Sequence, residues 1–349
     1  MLKMIELIRA LKVIGLGPLL NLARAHRYVW SNILGGFYSS RVIQVLFNVG
    51  FFDEMHLHGG VEIAEFARAN NLDESTLKML CDYLYCIQIL NKQNSNYVLD
   101  TKGALSTETG RGWFEATYGY KDVYYYLEDI LRKEKEYGKD VFRDSVLIAR
   151  GSGTMESKIF YPIAIATLKK NRFSHVLDLG CGDCGFLIQL CRSDPRFRGY
   201  GLDLSREAIL VGKDEAMESG VQDRILLECQ DITKLKRTPD GWSAIDAATA
   251  FFVLHEILYQ GHDKVVDFLR SYKELFPEVP LFVFEVHRAS IEKTRKRSGM
   301  SPHYFLQHDL THQKLVSRRE WKELFKTAGF RSIEERYLRF VRTSIFTIH

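Results

Sequence analysis

The first part of the chain has apolar residues at helical spacing, three and four positions apart. Between periodic segments stand residues that stop or cap helices, such as glycine, asparagine and aspartate. Helices are predicted over 41–53, over 61–70 and from the caps Asp73 and Ser75 to Ile89, and a short strand and turn over 96–103.

From about residue 173 the pattern changes to strands alternating with helices. Strands are predicted over 175–180, 197–204, 224–231, 243–254 and 280–286, and helices over 186–193, 206–219, 263–276 and 319–329. The end, 331–349, reads as two strands with a short turn, which predicts an antiparallel hairpin. Apolar strands bounded by helices indicate a parallel sheet covered on both faces, the arrangement of an α/β protein.

The segment between these parts, 111–155, is rich in aromatic residues, which predicts packed helices with one or two rings lining a pocket. Its last residues, Gly-Ser-Gly-Thr at 151–154, predict a loop. We therefore expect a domain boundary near residue 155, with one domain over 1–155 and a second over 156–349.

The order helix, turn, helix, strand near the N-terminus is typical of a winged helix, a fold that can bind DNA. Its second helix has Lys78 as its basic residue, against Asp73, Glu74 and Asp82. Helices that enter the major groove normally bring several basic residues. A net charge of +4 also gives no indication of a nucleic acid or membrane partner.

The cysteines and the N-terminus favour a cytoplasmic protein. Six cysteines in 349 residues are too sparse for a disulfide scaffold, and Cys181 and Cys184 have no second pair at zinc-finger distance. Charges interrupt the apolar N-terminal stretch, and no run reaches transmembrane length. The charged residues are Lys3, Glu6, Arg9 and Lys12.

The strongest local motif is the glycine-rich turn that follows the strand from Val176. Gly180 and Gly182 let the backbone turn sharply and approach a ligand, because neither has a Cβ. In open α/β sheets such ligands lie outside the carboxyl ends of the strands. Glycine spacing alone does not separate the nucleotide-binding classes that share it.

Acidic residues at three strand ends help to distinguish between the nucleotide-binding classes. Asp178 can meet an ammonium group, which the methionine part of S-adenosylmethionine has and a dinucleotide lacks. Asp203 can accept hydrogen bonds from ribose hydroxyls in either class. Asp231 and Ile232 stand where an adenine could be held. The C-terminal hairpin is foreign to dehydrogenases, so these features favour S-adenosylmethionine.

With these motifs, residues 170–349 resemble class I S-adenosylmethionine-dependent methyltransferases, and nearly the whole chain resembles the small-molecule O-methyltransferase superfamily. The resemblance implies a Rossmann-like seven-stranded sheet, a small-molecule substrate, and a homodimer formed by an N-terminal domain that also serves as a lid. It adds Leu204 and Phe251 to the donor site. Cys184 stands where the family's third glycine is usual, and because Gly185 follows, we expect the turn to survive.

After the fourth strand of the α/β part comes His255-Glu256. In the O-methyltransferases a histidine here acts as general base on a phenol or alcohol, work that suits a pKa near neutrality. His255 matches that position, which gives metal-free O-methylation as one hypothesis.

The later segment His308-Asp309-Leu310-Thr311 supports a second hypothesis. Two histidines and a carboxylate can form a facial triad for iron or zinc. His255, Glu256 and His308 resemble the triad of the α-keto acid C-methyltransferases of the phenylpyruvate and 2-ketoarginine types, with glutamate for the usual aspartate. His287 and His303 are rival ligands.

Metal-assisted C-methylation of an α-keto acid is the leading hypothesis, and O-methylation is the alternative. A third possibility, a DNA-binding regulator with a vestigial methyltransferase domain, is disfavoured by the acidic second helix.

Overall fold

The computed structural model describes residue 9 and residues 11–235, 244–296, 299 and 301–349. Lys3, Glu6 and Ser243, used in the predictions above, lie outside these residues. The chain divides into two compact units, Met1–Phe114 and Glu115–His349. No helix among the described residues is both long enough and apolar enough to span a bilayer.

The first unit is mainly helical and contains a three-stranded antiparallel sheet of order β1-β3-β2. Its core includes Leu46, Phe51, Phe52 and Leu84, all nearly or fully buried. The helices are α1 (Leu16–Ala25), α2 (Gly35–Asn48), α3 (Phe51–His58), α4 (Ile63–Ala69), α5 (Glu74–Cys86) and α6 (Thr101–Glu108), with a π-helical segment His26–Leu34 between α1 and α2, and the strands are β1 (Val61–Glu62), β2 (Leu90–Gln93) and β3 (Asn96–Leu99).

The predicted order of elements is present in this unit, with different boundaries. Asp73 caps α5, because its carboxylate accepts a hydrogen bond from the Thr76 amide at 2.7 Å. The helix ends at Cys86 rather than at Ile89, which leaves room for β2. The residues after β3 begin α6 directly instead of forming a turn.

The second unit begins with helices, of which the last is long. After α7 (Arg111–Tyr118), which spans the division between the units, come α8 (Lys121–Tyr125), α9 (Leu127–Leu131) and α10 (Ser145–Lys170). The loop predicted at 151–154 is wrong, since these residues lie inside α10. The Asp144 side chain caps that helix and its later turns bury Phe160, Tyr161 and Leu168, so capping and burial outweigh the weak helix propensity of glycine.

The rest of the second unit confirms the predicted α/β fold. Seven strands lie in the order β6-β5-β4-β7-β8-β10-β9. The strands from β6 to β8 in this order pair in parallel, and β10 is antiparallel to both β8 and β9. The strands are β4 (His175–Leu179), β5 (Arg198–Asp203), β6 (Ile225–Cys229), β7 (Ala247–Phe251), β8 (Leu281–Val286), β9 (Ile333–Leu338) and β10 (Thr343–Ile348).

Helices cover both faces of this sheet. Alternate residues of β4 enter different cores, with Val176 on one face and Leu177 and Leu179 on the other. Helix α10 packs on the Val176 face. The remaining helices are α11 (Gly185–Ser193), α12 (Arg206–Glu218), α13 (Leu254–Leu258), α14 (His262–Leu275), α15 (Ile291–Arg295), α16 (Ser301–Leu310) and α17 (Arg318–Thr327).

Candidate active site

The glycine turn after β4 has a conformation that favours glycine. Gly180 has φ +79° and Gly182 has φ +54°, both in the left-handed region. The Gly182 amide donates to Asp203 Oδ2 at 2.9 Å, which ties the turn to the end of β5. A Cβ on Gly182 would meet no atom of the described residues within 4 Å, so this side of the turn is open for a ligand to approach.

The cysteine that replaces the third glycine is accommodated. Cys184 has φ +69° and forms the N-cap of α11, a left-handed conformation that L-residues adopt at a cost of about 1–2 kcal/mol. Its side chain is fully buried. The turn therefore survives the replacement, as expected.

The acids at the ends of β5 and β6 are held in place by the backbone. Asp203 Oδ1 accepts from the Ser205 amide at 2.8 Å, and Asp231 Oδ1 accepts from the Thr233 amide at 3.0 Å. A carboxylate has about four lone-pair sites, so Asp203 keeps acceptor capacity for two hydroxyls. Of the apolar residues predicted beside them, Leu204 is exposed and Ile232 is buried.

Asp178 lies at the buried end of β4. Its Oδ1 accepts a hydrogen bond from the Thr249 hydroxyl at 2.7 Å. Burial, together with the Asp203 charge and against the Thr249 hydrogen bond, raises the pKa of Asp178 to about 7. Phe251, also predicted for the donor site, is buried at the end of β7 and stacks on Phe284 with ring centroids 4.3 Å apart.

His255 lies in the first turn of α13. It is held by a carboxylate that was not predicted from the sequence. Glu285 of β8 is fully buried and accepts from the His255 amide at 3.1 Å and from Nδ1 at 3.0 Å. Burial acts to lower the pKa of His255, but Glu285 and Glu256 outweigh it and raise that pKa. With Nδ1–H donating to Glu285, Nε2 keeps its lone pair for a proton or a metal ion.

His308 lies beside His255, as predicted from the sequence, with ring centroids 5.3 Å apart. Its Nδ1 donates to the Tyr304 carbonyl at 2.8 Å, which leaves Nε2 as the basic nitrogen. Burial, with His255 nearby, lowers the pKa of His308 to about 3. The ring is therefore neutral, the form that ligates metals.

Glu256 has partners of its own. Arg143 Nη2 lies 3.0 Å from both carboxylate oxygens, and the Gln313 amide donates to Oε1. His255 Nε2 is 3.8 Å from Oε1. These contacts use all but one of about four lone-pair sites, so Glu256 could reach a metal ion only through Oε2.

No group of three or more His, Cys, Asp and Glu side chains within the described ranges has an arrangement that could hold a metal ion. The rival ligands lie in other surroundings. His287 packs against Tyr337 of β9 with ring centroids 4.9 Å apart, and His303 is exposed on α16.

Arg143 was not predicted as a site residue, because it belongs to no motif in the sequence. It lies just before α10 and pairs with Glu256, while its buried Nη1 has no hydrogen-bond partner among the described residues. A buried guanidinium nitrogen without an acceptor costs free energy, since its hydration is lost. Glu285, in contrast, was detectable as the single acid in the apolar strand Leu281–Val286.

The seven-stranded sheet, the C-terminal hairpin and the glycine turn with acids at successive strand ends define the class I methyltransferase architecture. Residues 154–335 match the family model described as "Methyltransferase domain", and the chain belongs to that family. It is an S-adenosylmethionine-dependent methyltransferase that acts on a small molecule.

Individual relatives match over most of their length. The chain is 28% identical to 2-ketoarginine methyltransferase of Streptomyces arginensis over 318 residues, covering 86% of this chain and 88% of that protein. It is 22% identical to methyltransferase ungE' of Aspergillus campestris over 314 residues, covering 87% and 91%. Human N-acetylserotonin methyltransferase in complex with SAM shares the fold, with a TM-score of 0.69, 14% identity and coverage of 93% and 97%.

Proposed function

We propose that this methyltransferase transfers a methyl group to carbon of an α-keto acid. The observation that carries the proposal is the buried Nη1 of Arg143, which has no hydrogen-bond partner among the described residues, in a guanidinium whose charge acts on both His255 and His308. A substrate carboxylate supplies the acceptor that this nitrogen lacks, whereas a phenol brings no negative charge. The similarity to 2-ketoarginine methyltransferase supports the same substrate class.

The donor is assigned to the glycine turn and the neighbouring strand ends. Asp178 faces the ammonium group, and Asp203 faces the ribose hydroxyls. Asp231 and Ile232 contact the adenine, and the turn at Gly180 and Gly182 lies against the donor. Leu204 and Phe251 complete this set as apolar neighbours.

The acceptor reaction uses His255 as the base. Its Nε2 removes a proton from the carbon next to the ketone, and the electron pair of that C–H bond forms an enolate. The enolate carbon then attacks the sulfonium methyl in line, a C–C bond forms, and the C–S bond breaks to leave S-adenosylhomocysteine. Glu285 stabilises the imidazolium formed at His255, and Arg143 holds the substrate carboxylate in position.

We assign the two histidines and the remaining lone pair of Glu256 to a divalent metal ion as well. With a metal ion bound, Nε2 of His255 would be a ligand, so the substrate proton would pass to water rather than to His255. When bound, iron or zinc would supply a Lewis acid for the oxygen atoms of the keto acid. His308 contributes a neutral nitrogen held by the Tyr304 carbonyl.

Metal-free O-methylation remains the second candidate, and the His255–Glu285 pair favours it. A histidine with a buried carboxylate at Nδ1 is a competent general base for a hydroxyl without further help. In that case Arg143 has no substrate charge to bind.

The deciding experiment compares Arg143→Gln with the wild type on a panel of α-keto acids and phenols, with and without a chelator. We expect activity on a keto acid and a KM for it about 10- to 100-fold higher in the variant, because hydrogen bonds to charged groups contribute about 1.5–3 kcal/mol. Affinity for S-adenosylmethionine should not change. Arg132→Gln, which removes an exposed arginine paired with Glu128, is the control. Activity on phenols alone, unaffected by the chelator, would contradict the proposal.

We also propose that the N-terminal unit forms a winged-helix-like homodimerisation domain. Its first helices expose large apolar side chains, including Leu16 at 61%, Trp30 at 59% and Phe37 at 69%. Apolar surface of this kind is typical of interaction sites. Light scattering at micromolar concentration should give twice the chain mass, and a monomer would contradict the assignment.

A further inference from the structure

A buried glutamate on α10 has no role in the donor site as described so far. Glu156 is 9% exposed, and the Tyr161 hydroxyl donates to its carboxylate. Burial of a carboxylate is costly unless a positive charge or several hydrogen bonds compensate for it. One phenol hydrogen bond is weak compensation for a full negative charge.

Helix α10 brings this glutamate against the glycine turn. A Cβ on Gly153, one turn before Glu156, would lie 4.0 Å from Asp183 Oδ1 and 3.9 Å from the Tyr161 hydroxyl. The Tyr161 ring packs on Phe186 of α11 with centroids 5.3 Å apart. Glu156 therefore belongs to the same pocket wall as the turn that follows β4.

The charges around Glu156 are mostly of its own sign. Asp178 and Asp183 repel its negative form, His255 on α13 is the opposing charge, and Tyr304 is a further neighbour. Burial first, and then Asp178, raise the pKa of Glu156 to about 8. Such a group of carboxylates is stabilised by a cation placed among them.

We propose that Glu156 binds the α-ammonium group of S-adenosylmethionine, together with Asp178. The assignment rests on the donor site proposed above. We assign Glu156 to the ammonium rather than to the sulfonium because Glu156 faces Asp178 and Asp183 at the turn that follows β4. The acids with the largest effect on it are Asp178 and Asp183, rather than the ribose and adenine acids Asp203 and Asp231.

The test measures the affinity of three ligands by calorimetry. S-adenosylmethionine has both the ammonium and the sulfonium, S-adenosylhomocysteine keeps only the ammonium, and 5′-methylthioadenosine has neither. Glu156→Gln should weaken the first two by about 10-fold or more, as expected for loss of a charge-assisted hydrogen bond, and leave the third unchanged. The melting temperature of the free protein checks that the variant folds.

Two further variants separate this assignment from the donor site itself. Asp203→Ala should weaken all three ligands, because each contains the ribose. Glu218→Gln, an exposed glutamate at the end of α12, is the matched control and should change none. Full affinity of Asp203→Ala for every ligand would overturn the donor site on which the assignment rests.

The outcomes for Glu156→Gln are distinct. Loss of S-adenosylmethionine affinity with full S-adenosylhomocysteine affinity would place the carboxylate at the sulfonium and overturn the ammonium assignment. An equal loss for 5′-methylthioadenosine would show a structural effect, and unchanged affinity for all three would remove Glu156 from the site.

Discussion

The pair between His255 and Glu285 allows a sharp test of how the acceptor site works. In Glu285→Gln the side chain keeps its shape, but an amide replaces the carboxylate 3.0 Å from His255 Nδ1. If the amide nitrogen faces Nδ1, it must donate, so the ring proton moves to Nε2. Nε2 then has no lone pair, either for the substrate proton or for a metal ion.

The size of the effect follows from the burial of the pair. Glu285 is fully buried and His255 is 4% exposed, so solvent screens their interaction poorly. Partners that orient a catalytic or metal-binding histidine are worth about 10- to 100-fold in activity or metal affinity. We expect a loss of that size in kcat, which corresponds to about 1.4–2.7 kcal/mol.

Steady-state kinetics across pH, with calorimetry for the donor, measure this loss. Since Glu285 raises the pKa of His255, its removal lowers that pKa and moves the acidic limb of the kcat profile to lower pH. Affinity for S-adenosylmethionine should stay as in the wild type. Glu335→Gln replaces another poorly exposed carboxylate, which accepts from Ser344 at 2.7 Å, and serves as the control. Wild-type kcat in Glu285→Gln would refute the orienting role.

Three further predictions concern the metal, the packing of the glycine turn and acid stability. His308→Ala should lose bound metal by elemental analysis while keeping donor affinity, and a chelator should abolish wild-type activity until a divalent ion is restored; activity that persists in chelator would exclude the metal role of His308. Gly212→Ala should destabilise the protein by about 1–3 kcal/mol in urea unfolding, because the new Cβ would lie 2.9 Å from the Cys184 Cβ, and an unchanged midpoint would count against that contact. The pKa of Glu335 is lowered to about 2, since Arg318 and other donors outweigh its burial, so its stabilising contribution is complete above the ordinary value of 4.5 and is lost as the pH falls towards 2. Unfolding in urea at several pH values should show this loss in the wild type and not in Glu335→Gln; equal slopes would contradict it.

The α/β unit was predictable because its sheet is buried on both faces. A strand such as β8 must then be almost continuously apolar, whereas the helices between strands keep one polar face. The continuous apolar runs of the strands and the helical spacing of apolar residues are therefore easy to tell apart in the sequence. The C-terminal strands follow each other with no helix between them, which leaves an antiparallel pair as the simple solution. The structure has that pair, in register from Thr343↔Leu338 to Ile348↔Ile333.

The loop predicted at 151–154 shows where local composition misleads. Gly151 and Gly153 lower helix propensity by about 1 kcal/mol each relative to alanine. Helix α10 nonetheless continues through them, because the cap at Asp144 and the buried residues after Glu156 stabilise it over its whole length. The domain boundary expected near 155 thus falls inside a helix, and the compact units divide at Phe114 instead.

The site residues that were predicted from the sequence differ from those that were missed in how the fold brings them to the site. Asp178, Asp203 and Asp231 stand at carboxyl ends of strands, where topology alone brings them to one edge of the sheet. Arg143 and Glu156 reach the site through the path of α10 and the segment before it, and no periodicity encodes that path. Under the proposals above, Arg143 binds the acceptor carboxylate, for which no strand-end motif residue was predicted, and Glu156 joins Asp178 at the donor ammonium. The motif residues therefore indicate that a methyl group is transferred, whereas the choice of acceptor depends on residues whose positions only the folded chain determines.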